Sequence, residues 1–102
     1  MIIVNTTFHI HRTIEQDMLK WIRRAYAGSA IRAGANEQYL LTRILAGDQD
    51  TEGESYALHL TFPTLEAANK WDTGVGESLT RIMTERWGAK ALSFRTYLEI
   101  ID

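Results

Sequence analysis

The sequence predicts an α+β fold of four strands and two helices in the order β-α-β-β-α-β. Three observations carry that prediction. Four segments alternate apolar and polar residues with a period of two. Two longer segments repeat apolar residues at helical spacing. Between them lie capping, glycine and proline signals that stop one element and start the next.

The first strand spans residues 2–10 and is rich in β-branched side chains. Ile2, Val4, Phe8 and Ile10 share one side, and Ile3, Asn5, Thr7, His9 and His11 share the other. Thr13 follows as an N-cap, with Gln16 completing a capping box. Ile14, Met18, Trp21, Ile22 and Ala25 recur at helical spacing as far as Tyr26. Gly28 is the expected stop, and a short turn over residues 29–33 would carry the chain to Gly34. Residues 38–46 form the second strand, 47–53 a polar turn bracketed by glycines, and 54–62 the third strand. Pro63 precedes Thr64, a second N-cap, and Glu66 lies favourably in the first turn of the helix that follows. Leu65, Ala68, Trp71, Val75, Leu79, Ile82, Met83 and Arg86 trace its apolar stripe. Gly74 and Gly76 interrupt it at about 1 kcal/mol each relative to Ala, which predicts a kink or two abutting segments. Gly88 ends this helix, and residues 91–101 form the last strand.

Short connections and right-handed crossovers turn this order into a four-stranded antiparallel sheet with both helices on one face, the ferredoxin-like arrangement. No linker or repeat interrupts it, so residues 1–102 read as one domain. Two helices leave the second sheet face bare. That face is expected to carry Ile3, Ala57, Tyr97, Tyr39, Leu41 and Leu45, with Leu40 and Ile44 on the helix side of the second strand. A strand apolar on both sides is covered on both sides. The simplest cover is a second copy across a two-fold axis, its sheet facing the first.

Composition removes several function classes. With 11 basic and 13 acidic residues and no Lys/Arg cluster, a nucleic-acid partner is not expected. The absence of cysteine excludes disulfides, thiolate metal sites and thiol catalysis. The N-terminus lacks the basic region of a signal peptide, and no apolar stretch reaches the roughly 20 residues of a membrane span. A cytoplasmic address is the resulting expectation.

Several motifs resemble those of a family of short bacterial proteins of unknown function assigned to the dimeric α/β-barrel superfamily. They are the opening Met1-Ile2-Ile3-Val4-Asn5-Thr6-Thr7, Trp21, the Glu85-Arg86-Trp87-Gly88 stop and Ser93-Phe94-Arg95-Thr96-Tyr97-Leu98-Glu99. The resemblance implies the ferredoxin-like fold and a homodimer, and it conveys no activity. Asn5 and Trp71 also look like residues of the haem-degrading and antibiotic-biosynthesis-type monooxygenases of that superfamily. The haem degraders would hold their cofactor by a second-helix histidine, and none lies between Pro63 and Gly88. No cofactor is expected.

All three histidines, His9, His11 and His59, fall on the second face. If the first and third strands pair centre to centre, His59 lies opposite Asn5, about 13 Å from His9. One ion at about 2.1 Å from each nitrogen cannot bridge that gap, so no metal site is expected. Asn5, His59, Arg95, Tyr97 and Glu99 make the polar set with the widest chemical reach. His59 or His9 would act as a base, Arg95 would grip a carboxylate or enolate, and Arg43 would add charge from the edge strand. Arg95 and Glu99 would equally serve as an ordinary pair in a dimer seam. Trp71 reads as core packing or as one wall of a ligand site. Three functions stay open. The leading one is a homodimeric module that binds or senses a small molecule in a pocket on the open face. The others are a cofactor-independent oxygenase or isomerase, and a purely structural dimer.

Overall fold

Alternation in the N-terminal segment produces β1, Ile2–His11, with Ile2, Val4, Phe8 and Ile10 turned inward and the odd-numbered residues outward. A computed structural model describes residues 1–45 and 52–102. β2 is Leu40–Arg43, β3 Gly53–Phe62 and β4 Ala91–Glu99. They form one antiparallel sheet in the order β2-β3-β1-β4.

Two helical rods pack on the inward face. The first opens with a 3₁₀ turn, Arg12–Ile14, and runs through α1, Glu15–Trp21, a π-helical segment, Ile22–Ala27, and α2, Gly28–Arg32. The second comprises α3, Leu65–Trp71, a π-helical segment, Asp72–Gly76, and α4, Glu77–Trp87. Thr64 caps it as expected, its hydroxyl accepting from the Ala67 amide at 3.1 Å. Gly88 ends it with φ +58°, a conformation that suits glycine.

The first rod departs from expectation at both ends. His11, not Thr13, supplies the N-terminal cap, because its Nδ1 accepts from the Thr13 amide at 3.2 Å. Gly28 is interior, and the rod continues to Arg32 because the π segment re-phases it so that Ser29 and Ala30 are buried. Gly74 and Gly76 do separate two abutting α segments, joined by the π turn rather than by a break. β2 is shorter than the 38–46 expected, and β4 ends two residues before position 101. Of the turn expected over residues 47–53, positions 47–51 lie outside the described residues, and Gly53 already belongs to β3.

Between rods and sheet, aromatic rings pack on one another, the two Tyr26 pairs edge to face and the Trp71–Phe62 pair tilted. Tyr26 lies 5.1 Å from Phe8 and 5.3 Å from Trp71, which in turn lies 5.7 Å from Phe62. Such pairs each add about 0.5–1.5 kcal/mol beyond their area burial. Trp71 is only 2% exposed, and its indole N–H donates to Ser29 Oγ at 3.1 Å. Its ring is part of the core between rods and sheet.

Candidate functional site

Register decides which side chains share a face, since partners across an antiparallel pair point the same way. β1 and β3 place His59 directly opposite Asn5, the pairing expected from the sequence. β4 runs in the opposite phase from that expected. Tyr97 pairs with Val4 and Arg95 with Thr6, so both lie on the helix side, and Glu99 follows Ile2 there. β2 is reversed as well. Leu40 pairs with His59 and Thr42 with Ala57 on the open face, while Leu41 and Arg43 share the helix side with Leu58 and Tyr56. Arg95, Tyr97, Glu99 and Arg43 therefore leave the open-face set, and the Arg95–Glu99 seam pair does not form. Arg43 reaches the Tyr56 hydroxyl at 3.5 Å, with its guanidinium 5.7 Å from that ring.

The physical reason lies in what the rods offer β4. Arg95 Nε donates to the Tyr26 hydroxyl at 3.0 Å, and Nη2 donates at 2.8 Å to both the Gly76 carbonyl and Thr80 Oγ1. Nη1 forms an ion pair with Asp72 Oδ1 at 2.8 Å. Tyr97 donates to Asp72 Oδ2 at 2.5 Å, and Tyr26 in turn bonds buried Thr6 at 3.1 Å. Burial, then the Asp72 carboxylate, push the Tyr97 phenol well above the ordinary tyrosine range. Burial also raises Tyr26, against the lowering charge of Arg95. Both tyrosines thus stay protonated donors at neutral pH.

The two π segments contribute to this network. One carries Tyr26, and the other carries Asp72 and the Gly76 carbonyl that Arg95 reaches. Gly76 is needed there, because a Cβ would sit 3.2 Å from Asp72 Oδ1 and 3.4 Å from Arg95 Nη2. The sequence reading missed Thr6, Tyr26, Asp72, Gly76 and Thr80. One signal was available, since Asp72 interrupts an apolar stripe beside two helix glycines. With at least four of its five N–H groups engaged, Arg95 works here as a clip between sheet and rods.

The open face is a grid of four rows. One runs Leu40–His59–Asn5–Thr96 across all four strands. On one side lies Thr61–Ile3–Leu98, and on the other Thr42–Ala57–Thr7–Phe94, followed by Ser55–His9–Leu92. None of these residues is Asp, Glu, Lys or Arg. Bulk is concentrated on the edge strands, where Phe94 is 65% and Leu40 64% exposed, with Leu92 and Leu98 exposed beside them. The centre holds smaller groups. His9 Nδ1 bonds Ser55 Oγ at 3.0 Å, and His11 is engaged as a cap. Among the described residues no group of His, Asp or Glu is placed to hold a metal ion. One atom stands out: Asn5 Oδ1 is shielded from solvent and accepts no hydrogen bond among the described residues.

A family model described as a domain of unknown function matches residues 1–101. The chain belongs to the DUF4286 family. Two solved structures, each a dimeric ferredoxin-like protein from an uncultured marine organism, superpose on this DUF4286 chain with a TM-score of 0.64. One is 8% identical, covering 100% of this chain and 96% of that one; the other is 9% identical, covering 99% and 95%. At such identities the likeness shows the fold, which is ferredoxin-like. No curated protein matches the chain.

Proposed function

We propose that this DUF4286 protein is a homodimer closed over its helix-free sheet face, and that it holds a small molecule in the seam at Asn5 and His59. The observation that carries the reading is that, among the described residues, the rows of this face hold no Asp, Glu, Lys or Arg and are bulky and apolar at the edges. A solvated sheet face of this length would be studded with charge. The two marine proteins of the same fold are described as dimeric, which supports a second copy as the cover.

Magnitudes agree. Three strands about 30 Å long and a fourth of about 13 Å, spaced about 4.8 Å apart, present roughly 500 Å² per protomer, or roughly 1,000 Å² for the pair. That is the lower limit for a stable interface. Facing sheets pack about 10 Å apart. Phe94, Leu98, Leu92 and Leu40 fill that distance at the edges, whereas Thr7, Ala57 and Thr61 leave space at the centre. The space is where Asn5 and His59 lie.

Native mass spectrometry of freshly purified protein tests the reading. We expect twice the chain mass, and a further increment where a small molecule co-purifies. A monomer mass at micromolar concentration overturns it.

A further inference from the structure

We propose that a groove between the two rods, on the helix side of the sheet, binds a small organic phosphate monoester. The groove lies where the first rod begins and the second ends, and its volume is about 210 Å³. Asp17, Lys20, Trp21, Arg24, Ala25 and Arg86 line it. It is separate from the proposed seam and does not depend on the homodimer.

Charge is the first argument. Lys20 and Arg24 stand one helical turn apart on the first rod, and Arg86 reaches the same groove from the second. Three cations thus share a cleft with one carboxylate, Asp17. Among the described residues none of the three forms an ion pair, so the fold leaves their charge unneutralised. A cleft lined by an excess of one sign concentrates counter-ions of the other. A phosphate monoester carries roughly two negative charges at neutral pH, which matches that excess. The larger groove at the opposite ends of the rods differs, because Glu66 and Lys70 give it one charge of each sign.

Geometry is the second. The Arg86 guanidinium lies 4.5 Å from the centroid of the Trp87 ring, and Trp87 packs edge-on against Trp21 at 5.5 Å. A guanidinium held against a ring keeps its N–H edge for an oxyanion, and its fork fits two phosphate oxygens. Lys20 adds a point charge. Trp21 and Ala25 make the remaining wall apolar, a surface for the organic part of the ligand.

Calorimetric titration of the full chain with phenyl phosphate, inorganic phosphate and phenol tests the proposal, with indole fluorescence followed because Trp21 lines the groove. Phenyl phosphate is expected to bind about tenfold more tightly than inorganic phosphate, which lacks the ring. Phenol, which lacks the charge, is expected not to bind in the same range. Arg24→Gln and Arg86→Gln are each expected to weaken phenyl phosphate by about tenfold. Both side chains are exposed, and unchanged helical circular dichroism checks that the variants fold. Arg81→Gln removes the same charge from an exposed position outside the groove and is expected to leave binding unchanged. Equal losses in Arg24→Gln and Arg81→Gln would reduce the effect to general charge attraction and overturn the site. Phenol binding as tightly as phenyl phosphate, equal binding of the two phosphates, or no binding of either at millimolar concentration overturns it as well. The ranking of the probes in the unmodified protein decides the matter even if a groove variant misfolds.

Discussion

Arg95 touches Tyr26, Asp72, Gly76 and Thr80 at once, from a strand whose apolar residues point the other way. Removing it strands a carboxylate and a phenol in a largely shielded site. Arg95→Met is expected to lose about 2–4 kcal/mol in urea unfolding, less than a fully buried pair would because solvent reaches part of the site. Arg95→Lys should recover less than half of that, since one ammonium cannot span the same partners. A loss below about 0.5 kcal/mol for Arg95→Met would show that the clip carries no stability. The same network sets an alkaline limit. Tyr97 and Tyr26 titrate above their ordinary value of about 10 when folded, so the folded state holds their protons more tightly. Their contribution is complete below about pH 10 and is lost as the pH rises through the folded values. Phenolate absorbance from these two residues is therefore expected to appear together with loss of helical circular dichroism. Ionisation well before that loss would contradict the assignment. Of these partners only Asp72 left a trace in the sequence, because Arg95 meets Tyr26 across 69 positions of chain. Asn5 and His59 were legible, since both belong to strands whose inward faces are unambiguously apolar.

Among the elements, β1 and β3 follow the periodicity of their residues, the second rod only in part, since Leu65, Val75 and Ile82 of its expected stripe are exposed, and β4 does not. Leu92, Phe94 and Leu98 alternate with Ser93, Arg95 and Tyr97, and alternation alone assigns the apolar set to the core. The inward face of β4 is polar because the π segments bring partners to it, and π turns leave no clear trace in a sequence. Two neighbouring glycines test that argument. Gly74 has open space where a Cβ would go, so Gly74→Ala should stabilise the protein by about 0.5–1 kcal/mol through helix propensity alone. Gly76 has Asp72, the Trp71 carbonyl and Arg95 within 3.4 Å. Those groups are tied to one another, so Gly76→Ala should destabilise by about 1–2 kcal/mol despite the same propensity gain. Thermal or urea unfolding of the pair gives opposite signs if the π turn is fitted around Arg95, and equal signs if it is not.

For the whole molecule, the inverted phase of β4 gives adjacent residues opposite duties. Arg95 ties the sheet to the rods, and Phe94, 65% exposed on the other side, is the largest side chain on the proposed seam. Phe94→Asp should therefore halve the native mass while leaving helical circular dichroism unchanged, the reverse of what Arg95→Met does. A dimer that survives Phe94→Asp would move the interface elsewhere. The ferredoxin-like order was legible because it needs only the number, kind and sequence of elements. The content of the open face was not, because it depends on the phase of two edge strands. The strand order carries one more consequence. β1, the first strand made, is an inner strand of the finished sheet, and its pairing of Ile2 with Glu99 joins the two ends of the fold. Closure over so long a span comes late in folding. Until β4 arrives, one side of β1 presents open backbone donors and acceptors, and the β4 of another copy fits them as well as its own. Exchange of that strand between chains is the misassembly this topology invites at high concentration.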